Sequence, residues 1–307
     1  MTRVLVIGAR GFIGRSATDE LVRRGHEVHA LTSSADEPAT RGIQWHHADL
    51  LAGDGCRRIL DDVRPTHLLH LAWVTAVGTF WTDPSNEPWF RASRQLIRDF
   101  ASCGGRRVVA AGTCAEYDWS TAGVCDEAST PLRPATPYGR WKDALRQELE
   151  TATGGVASSA WARVFWLYGP GEPRSRLVPS IAINLLRGEP ALCSSGTQRR
   201  DFSFVADVAA AMVQLLDSDV RGAVNVASGE AVPVADVAMR IGRLIGRPEL
   251  VRLGARPTAA AEPPLVVADV RRLRDEVGYS PRFDLDAGLA ITIDVLRAAH
   301  AGAARHA

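Results

Sequence analysis

A short β-branched run, Thr2 to Ile7, stops at a glycine, and a helical period from Phe12 to Arg24 begins within a few residues. The break reads Gly8-Ala9-Arg10-Gly11-Phe12-Ile13-Gly14, with glycine at every third position. A strand that feeds so short a turn into a helix constrains the fold more than any other feature of the chain. The helix has to pack back onto a parallel sheet by a right-handed crossover. The glycines permit a tight turn, a close backbone approach to a diphosphate and close packing of helix on strand. The helix start adds unpaired N–H groups and the positive end of a dipole, which suit an anion.

The same alternation continues. Glu27 to Leu31, Ile43 to His47, His67 to Leu71 and Arg107 to Ala111 read as strands, with helices over 53–62, 86–103 and 137–153 and a further strand over 159–166. This predicts an α/β fold built on a doubly wound parallel sheet of the Rossmann type. After Tyr168-Gly169-Pro170-Gly171 the segments shorten and glycine and proline become more frequent, which predicts a smaller C-terminal lobe for substrate. Phe204 to Leu216 and then Ala223 to Ala227 read again as helix and strand, returning to the sheet. The expected division is therefore 1–168 with 203–228 for the dinucleotide, and 169–202 with 229–307 for the substrate.

At 307 residues and 46% hydrophobic, the chain has enough apolar side chains for a large core. A net charge of +1, with no basic block, argues against nucleic acid as a partner. No apolar run reaches transmembrane length, so no membrane partner is expected and the protein is read as soluble and cytoplasmic. The five cysteines form no CxxC pair, which suits reduced thiols. His46-His47 lacks the companions of a metal site, and no metal is expected.

Of 36 Lys plus Arg, only Lys142 is a lysine. It follows Tyr138 by four residues in Tyr138-Gly139-Arg140-Trp141-Lys142, so on a helix the two stack on one face. An ammonium there is expected to lower the phenol from its usual pKa of about 10 toward neutrality, where it can donate or accept a proton.

The second strand ends near the adenosine ribose of a bound dinucleotide, where NAD sites place an acid. Here the residues are Leu31-Thr32-Ser33-Ser34, with no acid before Asp36. Arg10 and Ser33 can meet a 2′-phosphate instead, so NADP(H) is favoured over NAD(H). Asp49-Leu50 is placed at the adenine edge.

Taken in order, Gly8-x-x-Gly11-x-x-Gly14, His70-Leu71-Ala72, Thr113 before Tyr117, Tyr138-x-x-x-Lys142, Arg163 leading to Tyr168-Gly169-Pro170, and Arg200-Asp201-Phe202 resemble the extended short-chain dehydrogenase/reductases. That family includes the NAD(P)-dependent epimerases and dehydratases of nucleotide sugars. The likeness runs from residue 3 to Gly278-Tyr279-Ser280-Pro281. It implies that Thr113, Tyr138 and Lys142 are catalytic, with Thr113 holding a substrate carbonyl toward Tyr138 and Lys142 gripping the nicotinamide ribose. Further dinucleotide contacts are implied at Phe12 and Ile13, at Thr32, at Leu71, Ala72 and Trp73, and at Val164. Substrate contacts are implied at Thr113, Cys114, Arg176 and Leu177, with phosphate contacts at Arg200 and Arg256. Trp166 stands where the family often has Asn, and it either stacks on a base or sugar or fills core. Trp73, Trp81, Trp89 and Trp119 are placed in loops near the strand ends, where they either shape a substrate pocket or bury against the lobe.

Sugar 4,6-dehydratases resemble Thr-Asp-Glu at this place, whereas this chain has Thr113-Cys114-Ala115 with Glu116 one position later, which argues against a dehydratase. Cys114 reads as packing, with proton transfer as the alternative. The string from Gly112 to Asp118 is similar to the ketoreductases that finish deoxysugar nucleotides. The expected function is NADPH-dependent reduction of a keto group on a nucleotide-activated sugar, at C4. An NAD-dependent 4-epimerase is the alternative, and a non-catalytic cofactor sensor a further one. Helices 86–103 and 137–153 resemble a family dimer seam, so a homodimer is expected.

Overall fold

The computed structural model describes residues 2–34, 40–53, 55–121, 123–153, 156–258 and 262–304. In chain order its elements begin with β1 (Arg3–Ile7), α1 (Phe12–Arg23), β2 (Glu27–Thr32), β3 (Ile43–His47), α2 (Cys56–Val63), β4 (His67–His70), α3 (Asn86–Ser102) and β5 (Arg107–Thr113). There follow β6 (Val124–Cys125), α4 (Pro137–Ala152), β7 (Ser158–Val164), β8 (Trp166–Tyr168), α5 (Leu177–Leu186), β9 (Ala191–Leu192) and β10 (Arg199–Phe204). The chain ends with α6 (Val205–Asp217), β11 (Gly222–Val226), β12 (Ala231–Pro233), α7 (Val234–Ile245), β13 (Val251–Arg252), β14 (Leu265–Ala268) and α8 (Leu285–Ala304).

A seven-stranded parallel sheet runs β11-β7-β5-β4-β1-β2-β3. Its strands are covered on both faces, which is why Val4 to Ile7 and Val108 to Ala111 are almost continuously apolar and buried. On one face α1 and α6 pack together through Leu21, Val208, Met212 and Leu216. On the other, α2, α3 and α4 bury Leu60, Leu96, Phe100, Leu145 and Leu149 around Trp161. Each such side chain contributes about 1.5–3 kcal/mol on burial. β1 lies between β2 and β4, so strand order reverses there and a crevice opens at the carboxyl ends of β1 and β4.

The second layer is smaller. β12, β10, β14 and β6 pair in that order, and β8 joins β10 through Phe202 opposite Trp166. Val178, Ile181, Leu185, Val237, Ile241, Leu289 and Ile293 from α5, α7 and α8 form its core. β10 runs directly into α6, and β11 then pairs with β7 at the sheet edge. Asn225 on β11 locks the two layers: its amide donates to the carbonyls of Cys125 (2.8 Å) and Asp269 (3.1 Å) and accepts from the Tyr117 hydroxyl (2.7 Å). Asp201, fully buried on β10, accepts from the Ser228 and Gly229 backbone and from the Ser228 hydroxyl.

The helix expected from residue 53 begins at Cys56, because Gly53 and Gly55 hold left-handed conformations that delay it. Trp89 lies on α3 rather than in a loop. Asp36 lies outside the described residues.

Candidate active site

The turn after β1 has the geometry a dinucleotide needs. Gly8 sits at φ +87°, and a Cβ there would stand 2.7 Å from the Ala72 nitrogen, so the turn lies against the Leu71–Ala72 backbone at the end of β4. Gly11 donates to the Gly8 carbonyl at 2.9 Å. A Cβ on Gly14 would meet the carbonyl oxygens of Gly8 and Ala9, so only glycine lets α1 start so close to the strand. Gly11 caps α1 without a side-chain bond, which leaves the first-turn N–H groups of Phe12, Ile13 and Gly14 for an anion. These features fit the diphosphate of a dinucleotide. Arg10 and Ser33 are exposed at the rim. Thr32 is buried, with its hydroxyl accepting from Ser34 N at 3.1 Å. Asp49 is exposed and accepts from Leu51 N, while Leu50 is buried.

The catalytic candidates converge from β5 and α4. Thr113 ends β5 and caps a 3₁₀ turn over Cys114–Glu116, with its hydroxyl accepting from Ala115 N at 3.2 Å and its own N–H donating to Glu116 at 2.8 Å. Pro137 opens α4, capped by the Thr136 hydroxyl accepting from Gly139 N. Gly139 lies so near Ala115 that a Cβ would stand 2.5 Å from its carbonyl oxygen, and this brings the first turn of α4 onto the Thr113 turn. The Thr113 hydroxyl lies close enough to the Tyr138 phenol to favour its ionised form. Val164 lies opposite Thr113 on β7.

The electrostatics correct one expectation. Burial pushes the Tyr138 phenol up, with the Thr113 hydroxyl opposing, so the phenol stays protonated at neutral pH. The Lys142 ammonium donates to the Ala111 carbonyl at 2.8 Å and lies 4.1 Å from the centre of the Trp73 ring. Burial pulls Lys142 down to about 7, against the pull of the Glu116 charge. His70 next to it is pushed down to about 3, first by burial and then by Lys142, and so is neutral.

Glu116 is the residue that sequence reasoning undervalued. Its carboxylate accepts from Trp161 Nε1 (2.9 Å) and from Arg163 Nε (2.7 Å), and both ions are buried. Burial pushes its pKa up, opposed by Arg163 and these donors. The signal was present as the Thr-x-x-Glu spacing of a capping box. Cys114 is buried, and burial holds its thiol up and protonated.

The side toward the lobe is aromatic. Phe80 and Trp81 meet Tyr138 edge-on at 5.0 and 5.7 Å; Trp81 meets Trp119 at 6.2 Å, and Trp119 stacks on Trp166 at 5.8 Å. Arg176, which caps α5, lies 5.3 Å over Phe80, and Arg200 lies 5.0 Å over Trp166. Leu177, the first residue of α5, is half-buried against the lobe core. Phe80 sits beside Trp81 in a loop, where no helical or strand period marks it. Two expected phosphate contacts sit differently. Arg200 is buried and pairs with Glu262 at 2.9 Å, with its Nε unpartnered. Arg256 is exposed, and its backbone bonds the Cys193 carbonyl at the end of β9.

A doubly wound sheet with a glycine turn at its switch point, and a Thr-Tyr-Lys set at the next strand ends, defines an NAD(P)-dependent oxidoreductase of the extended short-chain type. The model of the NAD dependent epimerase/dehydratase family matches residues 4–227, and the chain belongs to that family. It is 26% identical to a dTDP-6-deoxy-L-talose 4-dehydrogenase (NAD(+)) of Aggregatibacter actinomycetemcomitans over 74% of this chain and 84% of that protein. It is likewise 26% identical to a dTDP-4-dehydro-6-deoxy-D-allose reductase of Streptomyces sp, over 94% of each. Among solved structures, the UDP-glucose 4-epimerase of Thermus thermophilus in complex with NAD aligns at TM-score 0.85 and 26% identity, covering 97% of this chain and all of that one. The protein is an NAD(P)-dependent enzyme of that family. Among the described residues no helix is long and apolar enough to cross a membrane.

Proposed function

We propose that the protein reduces the 4-keto group of a nucleotide-activated deoxysugar with NADPH. The observation that carries this reading is the packing of the first turn of α4, with its buried and protonated Tyr138 phenol, onto the turn that Thr113 caps. When bound, the nicotinamide supplies the hydride. The residues of this chain handle the oxygen and its proton. Thr113 and Tyr138 bond the ketone oxygen and are preorganised for its growing negative charge. Tyr138 gives its proton to that oxygen. The phenolate left behind is favoured by Thr113 and by the ammonium of Lys142, one helical turn on. The aromatic side and Arg176 orient the sugar, and residues 169–202 with 229–307 supply the substrate lobe.

NADP(H) is part of the same proposal. It rests on Ser33 where an acid would repel a 2′-phosphate, and on Arg10 in the glycine turn. A second copy meeting this one through α3 and α4 is proposed as well, and sedimentation tests it. The relation to a 4-epimerase crystallised with NAD favours a second reading, in which the hydride returns to the sugar and a retained NAD is not consumed.

The test uses purified protein, NADPH and dTDP-4-keto-6-deoxyglucose. The proposal expects one NADPH oxidised per sugar reduced, with NADH slower by about tenfold, the effect of one charged contact of ~1.4 kcal/mol. Interconversion of UDP-glucose and UDP-galactose without net loss of NADPH establishes the epimerase instead.

A further inference from the structure

Lys142 is held by more than its helix. Its Nζ lies 4.1 Å from the Trp73 ring centre and donates to the Ala111 carbonyl at 2.8 Å. The Trp73 indole is fixed in turn: its Nε1 donates to Asn86 Oδ1 at 2.7 Å. Asn86 is fully buried, and its amide nitrogen donates to the carbonyls of Phe80 and Asp83, both at 2.8 Å. One side chain thus ties the ring beside Lys142 to the loop whose Phe80 and Trp81 rings abut Tyr138. The loop is joined to α4 again where Tyr138 N donates to the Trp81 carbonyl at 3.0 Å.

We propose that Trp73, fixed by Asn86, is a positioning residue that keeps Lys142 cationic and in place before any ligand arrives. The physical reason is the negative face of an indole, which favours a cation most where water is excluded. Lys142 is nearly fully buried, so desolvation disfavours its charge, and two groups counter that cost: the Glu116 carboxylate and the Trp73 ring. The other groups facing the amine do not supply a negative charge. His70 on β4 is neutral, and the Tyr138 phenol on the same helix is protonated. Asn86 makes the arrangement a clamp, because loosening it frees the ring from Lys142 and the loop from Tyr138 together. The inference rests on the proposed role of Lys142 in the reaction, but its test does not.

Lys142 is the chain's only lysine, so protein grown on 13C-labelled lysine gives one lysine side-chain signal to titrate by NMR. Trp73→Leu keeps an apolar filler and removes the π face. Its Lys142 titration is expected about one pH unit below that of the wild type, with Trp73→Phe between the two. Asn86→Leu is expected to move the midpoint the same way while Trp73 remains. An unchanged midpoint in Trp73→Leu overturns the proposal. So does a rise, which is what water entering beside the amine produces. If Trp73→Leu does not fold, Trp73→Phe against wild type decides by the same sign. In an active enzyme the alkaline limb of kcat/KM moves with the NMR midpoint, a shift that a merely structural tryptophan does not cause. Should no keto-sugar be turned over, the NMR shift still stands or falls alone, and only the assigned reaction is lost.

Discussion

The two halves of the site are built from different materials. The dinucleotide half is backbone: Gly8 against Ala72, Gly14 against the Gly8 and Ala9 carbonyls, and the open first turn of α1. The reacting half is side chain: a buried Glu116–Arg163 pair, an ammonium on an indole, and rings leading from Tyr138 to Arg200. Apart from the approach of Gly8 to Ala72, the backbone half depends on residues close in sequence. Side-chain sites draw on strands and loops far apart, and each buried charge needs its partner. The first half is expected to tolerate change in most side chains and almost none in Gly8 and Gly14. In the second, the sensitive residues are the charged and polar ones that hold the reacting groups.

The largest effect expected of this contrast is at Glu116. Glu116→Gln keeps the shape but leaves the Arg163 guanidinium buried without its counter-ion, a loss of about 3–5 kcal/mol. Thermal unfolding measures it, and a melting temperature within a degree or two of wild type contradicts the buried pair. Next is Gly14→Ala. Its Cβ would stand 2.7 Å from the Ala9 carbonyl oxygen, and the overpacking costs about 1–3 kcal/mol. NADP(H) affinity should fall with it, measured by quenching of tryptophan fluorescence. Unaltered affinity removes the backbone half of the comparison.

The pH prediction belongs to the reacting half. Lys142 is pulled to about 7 by burial, so it loses its charge as pH rises through that value. If the ammonium is required, kcat/KM falls toward tenfold per pH unit above it, and a flat profile to pH 9 contradicts that role. The smallest expected effect is Ser33→Asp at the rim of the backbone half. A carboxylate there repels a 2′-phosphate, so preference should swing from NADPH toward NADH by about tenfold, ~1.4 kcal/mol. Steady-state kinetics with the two cofactors decide it.

Legibility in the sequence followed the same division. The alternation of strand and helix that makes a doubly wound sheet, the glycine turn and α4 were readable because each is a local pattern of period and punctuation. Tyr138 and Lys142 were readable because their spacing is helical. The state of that pair was not, because it depends on burial and on Trp73, Ala111 and Thr113, which come from other elements. Hence burial raises the phenol where the helical spacing alone led to an acidic one. Asn86 and the contact of Phe80 with Tyr138 were invisible for the same reason: each joins side chains of different elements. Arg200 was recognised as a motif, but its pairing with Glu262 joins residues from separate parts of the lobe.

The central claim is that the Tyr138 hydroxyl delivers the proton to the substrate. The most direct test is turnover of Tyr138→Phe against wild type, with NADPH affinity measured on the same preparations. The account predicts a loss of about 10²–10⁴-fold in kcat with cofactor affinity nearly unchanged. Turnover within a few fold of wild type, at full cofactor occupancy, contradicts it.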